Sequence, residues 1–139
     1  MIAFKHNRRD EPIIPMRPEA RGRLLFLPLC PSTNDRQLPV RRGRRAVLVN
    51  TRETNEYIAS VGAWLRAWVH NTGFTPIATW TRIQYWLILR TTAADPSNYG
   101  KVLWDALQAG GVVANDRYVL PDNRGVGFDA KMPMIIVQL

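Results

Sequence analysis

The 139-residue chain has the length of one ordinary domain, and a 46% hydrophobic content is enough for a core. Its 19 Lys and Arg against 11 Asp and Glu give a formal net charge of +8, which favours a polyanionic partner, nucleic acid above all, over a merely solubilising charge excess. One cysteine excludes an internal disulfide and a cysteine-rich zinc site, and no apolar run is long enough for a membrane span or a signal peptide, so we expect a soluble, cytoplasmic protein that contacts no membrane.

The N-terminal residues mix basic side chains, prolines and isolated apolar residues. We interpret residues 1–22 as a basic, flexible arm in front of a domain that spans residues 23–139. Leu24–Leu29 predicts the first strand, with Pro28 marking an edge position or the strand end. Cys30–Asp35 follows and has the composition of a turn.

A tight turn or loop around Gly43 carries four positive charges before the next predicted strand, Ala46–Val49. These charges belong to Arg41, Arg42, Arg44 and Arg45. We expect them to contact phosphates rather than to form a solvated loop, because the guanidinium fork matches phosphate geometry.

The longest helix is predicted from Asn50 to about His70, with Asn50 as its N-cap and Glu53 completing a capping box. Apolar residues recur at helical spacing along it, and Gly73 follows its end. We expect this stripe to pack on a sheet rather than to bind a cofactor or a partner.

Trp80–Arg90 alternates bulky groups on both faces, which predicts a central strand. A second helix is predicted over residues 98–109, ending at two glycines, and extended segments follow at 112–113, 118–120 and 134–137, with a turn at 121–125. The order of elements predicts an α/β (α+β) fold in which a mixed sheet is covered by two main helices. The five tryptophans sit mostly at regular spacing, so we expect core or dimer packing rather than stacking on bases.

Polar residues share one face of the second helix, at spacings of three, four and three. They are Asn98, Lys101, Asp105 and Gln108. Asp95 precedes this helix and Asp116 follows it, and the two aspartates converge if the chain runs back past the helix start. Such carboxylates could hold magnesium, which polarises a phosphoryl group and activates water, with a lysine nearby to stabilise negative charge. An exposed i,i+4 ion pair beside a helix-capping aspartate explains the same spacing equally well.

The segment from Asp95 to Leu107, followed by Val113–Asp116, resembles the RusA family of Holliday junction resolvases. That family has a signature of the form D-x-D-N-x-x-K-x-x-x-D-x-L, then a hydrophobic run and an acidic pair. Pro31-Ser32-Thr33-Asn34 is similar to the family's proline-serine-x-asparagine element after the first strand. The resemblance runs from about Leu24 to the C-terminus and leaves the arm unaccounted for.

The resemblance implies a role for several residues of this chain. Asp95 and Asp116 match metal-binding catalytic aspartates, and Lys101 matches the essential lysine. Asn98, Asp105 and Asn34 match positions of the signature whose roles are less clear. Ser97 stands where the family has a second aspartate, and Asn115 replaces the first acid of the downstream pair. These two departures reduce the expected metal affinity, unless Asp105 helps.

The resemblance also implies a RusA-like fold and a homodimer that cuts four-way junctions or other branched DNA, in DNA recombination and repair. Mg²⁺ is the implied cofactor, with Mn²⁺ as the alternative metal. Two other functions stay open. One is a junction-binding protein, weakened at Ser97, that cuts poorly or not at all. The other is a basic interaction domain for RNA or an acidic protein.

Overall fold

Residues 16–33 and 37–139 are described by a computed structural model of the chain. Their regular elements, in chain order, are β1 (Glu19–Arg21), β2 (Leu24–Pro28), β3 (Gln37–Arg42), β4 (Arg45–Asn50), α1 (Arg52–Thr72), β5 (Thr81–Leu89), α2 (Lys101–Ala109), β6 (Val119–Phe128) and β7 (Met134–Gln138). They divide into two compact units. The sheet unit contains the described residues up to Leu29, with Arg82–Pro96 and Leu120–Leu139; the helical unit contains the described part of Cys30–Thr81, with Ser97–Val119.

The sheet unit is a five-stranded sheet in the order β1-β2-β7-β5-β6. β1 lies within the predicted arm of residues 1–22, so the sheet begins earlier than the sequence indicates; residues 1–15 of the arm lie outside the described residues. Pro28 is the last residue of β2, where β1 no longer accompanies the strand, in agreement with a strand-end proline.

One face of the sheet is buried, because buried and more exposed side chains alternate along its strands. The fully or almost fully buried side chains are Leu25, Leu27, Ile83, Tyr85, Leu87, Leu89, Ile135 and Val137. Each aliphatic member contributes about 1.5–3 kcal/mol by leaving water. The interior position of β5 confirms the predicted central strand.

β6 runs over residues for which the sequence predicts a turn, 121–125, so that prediction is wrong. A Cβ on Gly125 would meet Trp86 of β5, and one on Gly127 would meet Ile88. The residue numbers of the contacting positions increase together along β6 and β5, as in a parallel pair. By contrast, β7 is antiparallel to both β2 and β5. The pairing with β5 therefore overrides the local turn composition, and the predicted mixed sheet is confirmed.

The helical unit contains α1, α2 and the hairpin of β3 and β4. α1 begins after Thr51, whose hydroxyl accepts a hydrogen bond from the Thr54 amide at 3.2 Å. The predicted Asn50 cap is therefore wrong by one residue, because Asn50 is still paired within the hairpin. Gly73 ends the helix in the left-handed conformation at φ 68°, as predicted.

The two helices approach each other closely where α2 ends. A Cβ on Gly110 would lie 2.5 Å from the Cβ of Leu65, which is too close for two carbon atoms that are not bonded. Only glycine therefore fits at this position. α2 begins at Lys101 rather than at Asn98, which belongs to the preceding 3-10 turn Pro96–Asn98. The α+β class with two main helices is confirmed. Over the described ranges, no helix is long and apolar enough to cross a membrane.

Candidate active site

The polar face of α2 carries a cluster of one lysine between two carboxylates. Lys101 Nζ donates to Asp105 Oδ1 at 2.9 Å and to Asp116 Oδ2 at 2.5 Å. We call these three side chains the Lys101 cluster. Their exposed fractions are 45% for Lys101, 30% for Asp105 and 27% for Asp116, so solvent reaches all three.

The charges of the cluster depend on one another. Lys101 is the first residue of α2, where the helix dipole disfavours a cation. The two carboxylates compensate: the hydrogen bond to Asp116, followed by that to Asp105, raises the pKa of Lys101. In return, the hydrogen bond from Lys101 lowers the pKa of Asp116. At neutral pH the lysine is therefore an ammonium and Asp116 a carboxylate.

Asp116 reaches α2 because the chain reverses after the helix. Gly111 has φ 74°, a left-handed conformation suited to glycine, and the following residues run beside Ile77. The Ile77 amide donates to Val112 O at 2.9 Å, and the Ala114 amide donates to Ile77 O at 2.8 Å. These two bonds fix the segment that leads into Asp116.

Two neutral side chains then orient Asp116. Gln108, on the same face of α2, accepts a hydrogen bond from the Asp116 amide at 2.8 Å. Asn115 accepts one from the Arg117 amide at 3.0 Å and so caps the 3-10 turn Asp116–Tyr118. The side-chain amide of Asn115, which stands where the RusA family has the first acid of its acidic pair, therefore caps this turn.

The upstream sequence element also lies in this unit, next to the start of α2. Thr33 Oγ1 donates to the backbone oxygen of Asn98 at 2.9 Å, across 65 residues of sequence. Cys30, close to the backbone of Gly100 and Leu103, is buried, and desolvation raises its pKa to about 12, so its thiol is neutral and inert. Asn34 lies outside the described residues. The segment around Thr33 and the signature segment around Asn98, which resemble the RusA family separately, are therefore neighbours in the structure.

Asp95 belongs to the sheet unit, beyond the end of β5, and its side chain is exposed. Ser97 is exposed as well; it lies in the 3-10 turn Pro96–Asn98 and is the first residue of the segment Ser97–Val119 of the helical unit. The shared role of Asp95 and Asp116 at a metal stays a prediction.

The donor chemistry of the Lys101 cluster suits magnesium, which binds through one or two carboxylates and keeps several waters. Asp105 and Asp116 supply such oxygens at a wet surface, although the ammonium of Lys101 lies between them. No group of three or more His, Cys, Asp or Glu side chains within residues 16–33 and 37–139 is arranged to hold a metal ion.

The four arginines around Gly43 lie at the tip of the β3–β4 hairpin. Gly43 has φ 62°, which allows the tight turn, and Arg41, Arg42, Arg44 and Arg45 are all exposed. In the part of the chain that the structure describes, none of the four forms an ion pair. Their charges are therefore free to meet an external anion.

Asp105, to which the resemblance gives no clear role, is the second carboxylate on Lys101, in agreement with the i,i+4 ion pair that the spacing predicts. The structure also adds a feature that the sequence does not predict. Trp80, expected to pack in a core or a dimer, is 66% exposed and meets Tyr118 edge to face at 6.4 Å. The sequence does not indicate this exposure, because Trp80 opens the alternating segment Trp80–Arg90, whereas the strand itself begins at Thr81.

A comparison with models of known protein families finds no match to this chain, and a comparison with curated proteins finds none either.

Proposed function

We propose that the chain is a magnesium-dependent, structure-selective endodeoxyribonuclease that cuts four-way junctions or other branched DNA, in DNA recombination and repair. The observation that carries the proposal is the Lys101 cluster: the lysine and the downstream aspartate of the RusA-like signature, 15 positions apart, are in direct contact. A surface ion pair between neighbouring turns of one helix would account for Asp105 but not for Asp116.

The proposed site holds the metal through Asp95 and Asp116, with Asp105 and Ser97 as supporting groups; the membership of Asp95 rests on the sequence resemblance. When bound, magnesium supplies charge that polarises the scissile phosphate and acidifies a water molecule. Lys101 acts as a fixed positive charge rather than as a general base, because its raised pKa keeps it protonated. Gln108 positions Asp116 by accepting a hydrogen bond from the Asp116 backbone amide.

DNA binding is proposed to be electrostatic and directed at the backbone. The net charge of +8 and the exposed arginines at the hairpin tip favour phosphate contacts, so DNA shape would dominate over sequence. A four-way junction has approximate two-fold symmetry, so a homodimer with one site per subunit is part of the proposal. Sedimentation would then give a mass near twice the 15.9 kDa of the chain.

A second candidate is a junction-binding protein that cuts weakly or not at all. It is favoured by Ser97, which stands at a position where the resembled family has a carboxylate, and by Lys101, whose ammonium already pairs with both carboxylates of its cluster. The two candidates share a DNA surface and differ in chemistry.

End-labelled four-way junction and a linear duplex of the same sequences separate the candidates. With magnesium, the nuclease cuts the junction and spares the duplex, whereas the binding protein shifts the junction in a gel and leaves it intact. A chain that binds neither DNA would exclude both.

A further inference from the structure

Beside the Lys101 cluster lies an aromatic group that the proposed chemistry does not use. The 3-10 turn that begins with Asp116 ends with Tyr118, and Tyr118 contacts Trp80 edge to face, with ring centroids 6.4 Å apart and planes at 90°. Arg117, between Asp116 and Tyr118, is exposed in the same turn. One short turn thus joins a carboxylate, a cation and two aromatic rings.

Trp80 is the most exposed of the large apolar side chains in the described residues, at 66%. Trp68 and Trp104, by comparison, are each 8% exposed and pack in the helical unit. Leaving an indole in water forgoes much of the free energy that its burial would provide, since an aromatic side chain buries 150–250 Å². Such exposure beside a polar site is typical of a residue that is covered by a ligand.

The arrangement around Tyr118 leaves the indole as the available stacking surface. The Arg117 guanidinium lies 4.8 Å from the centroid of the Tyr118 ring, and its Nη2 donates to the Tyr118 hydroxyl at 2.9 Å. One face of the Tyr118 ring is therefore occupied by Arg117, and the Tyr118 ring stands perpendicular to the Trp80 ring. A flat, exposed ring held by a neighbour offers a π-face, and an adjacent arginine offers a charge for a phosphate.

We infer that Trp80 stacks on an unpaired nucleobase of the DNA substrate, next to the strand whose phosphate lies at the Lys101 cluster. This inference rests on the proposed function and specifies how a branched substrate is distinguished from a duplex. Bases at a branch point can leave the stack, whereas those within a duplex arm stay paired. Stacking on an aromatic ring tolerates any base and so selects for unpairing rather than for sequence.

The test uses the full-length chain and a four-way junction with 2-aminopurine at a branch-point position. Stacking on an indole quenches the fluorescence of an unpaired 2-aminopurine, so the junction complex of the wild type should be less fluorescent than that of W80A. W80A should abolish the quenching and weaken junction binding about 5- to 100-fold, with W80F retaining part of both effects. Binding to a fully paired duplex of equal length should change less than about twofold, since the arginines supply that affinity.

Phe128→Ala is the matched control, because Phe128 is 52% exposed on β6 and plays no part in the inference. It should leave the quenching and both affinities unchanged. Since Trp80 is exposed, W80A should melt within a few degrees of wild type, which separates loss of stacking from loss of the fold.

The outcomes separate the inference from the proposed function. If wild type binds no DNA at all, the proposed function fails. If wild type binds the junction tightly but W80A binds and quenches equally well, the stacking role is overturned while the proposed function stands. If W80A alters only the sedimenting mass, Trp80 contacts a second copy of the chain, and the inference is again overturned.

Discussion

Lys101 Nζ lies 2.5 Å from Asp116 Oδ2, although one residue begins α2 and the other begins the 3-10 turn beyond its far end. The contact shows that the polar face of α2 is completed by a residue from outside the helix. Because Asp105 binds the same ammonium, this contact turns the i,i+4 ion pair of the helix into a three-residue cluster.

Replacement of Lys101 by alanine tests the cluster itself. The change leaves Asp105 and Asp116 without their shared cation, so their repulsion should move Asp116 away and slow junction cleavage at least tenfold. Junction binding should weaken by a smaller factor, because one positive charge at the proposed phosphate site is lost. Lys131→Ala removes an exposed lysine of the same charge in the sheet unit and should alter neither quantity. Equal effects of the two variants would reduce Lys101 to a general contribution to net charge.

The pH dependence of stability follows from the shifted pKa of Asp116. Because the folded-state pKa lies below the usual 3.8, the Lys101–Asp116 pair stabilises the fold above that pH and loses its contribution as the pH falls through the folded value. Urea unfolding of wild type and D116N should differ by less than about 1 kcal/mol at neutral pH, since the pair is partly exposed. The difference should shrink towards zero in strong acid. A gap that widens as the pH falls contradicts the assignment.

Removal of the four hairpin arginines should flatten the salt dependence of junction binding. Each lost phosphate contact lowers the slope of log affinity against log salt by about 0.9. The matched control removes Arg21, Arg52, Arg66 and Arg124, each of which already has a partner within the chain. It changes the net charge equally and should alter the slope less. Identical slopes for the two quadruple variants would place the DNA surface away from the hairpin.

Ser97→Asp tests whether the RusA-like signature is aligned correctly. If position 97 faces the metal, a carboxylate there should raise the cleavage rate at low magnesium and move the magnesium midpoint to lower concentration. Ser60→Asp, on α1, adds the same charge elsewhere in the helical unit and serves as the control. An unchanged magnesium profile for S97D would mean that Ser97 does not contact the metal.

The sequence predicts those features that depend on local periodicity. The alternation in β5, the stop at Gly73 and the pairing of Lys101 with Asp105 one turn later all follow from spacing along one element. The contact of Asp116 with Lys101 does not, because it depends on the reversal at Gly111 and on the hydrogen bonds to Ile77. The sequence does not predict the strand over residues 121–125 either, because the pairing of this strand with β5 outweighs its turn-forming composition.

The exposure of Trp80 also required the structure. Tryptophan is usually buried for the most part, but Trp80 lies just before β5, and its only ring contact among the described residues is the perpendicular one with Tyr118. The contact of Thr33 with Asn98 is a further long-range feature. It joins two sequence elements whose proximity no local pattern indicates.

The central claim is tested most directly by one cleavage measurement on a four-way junction, with wild type, D116N and D95N at equal, saturating protein and millimolar magnesium. The account predicts that wild type cuts the junction and that both variants cut it at least 100-fold more slowly. Both variants should still bind the junction as tightly as wild type or more tightly, because each loses a negative charge near the phosphates. D122N, which neutralises an aspartate of β6 outside the proposed site, should cut like wild type. Wild-type and D116N proteins with the same cleavage rate, or a wild type that binds the junction and leaves it intact with magnesium and with manganese, would contradict the account.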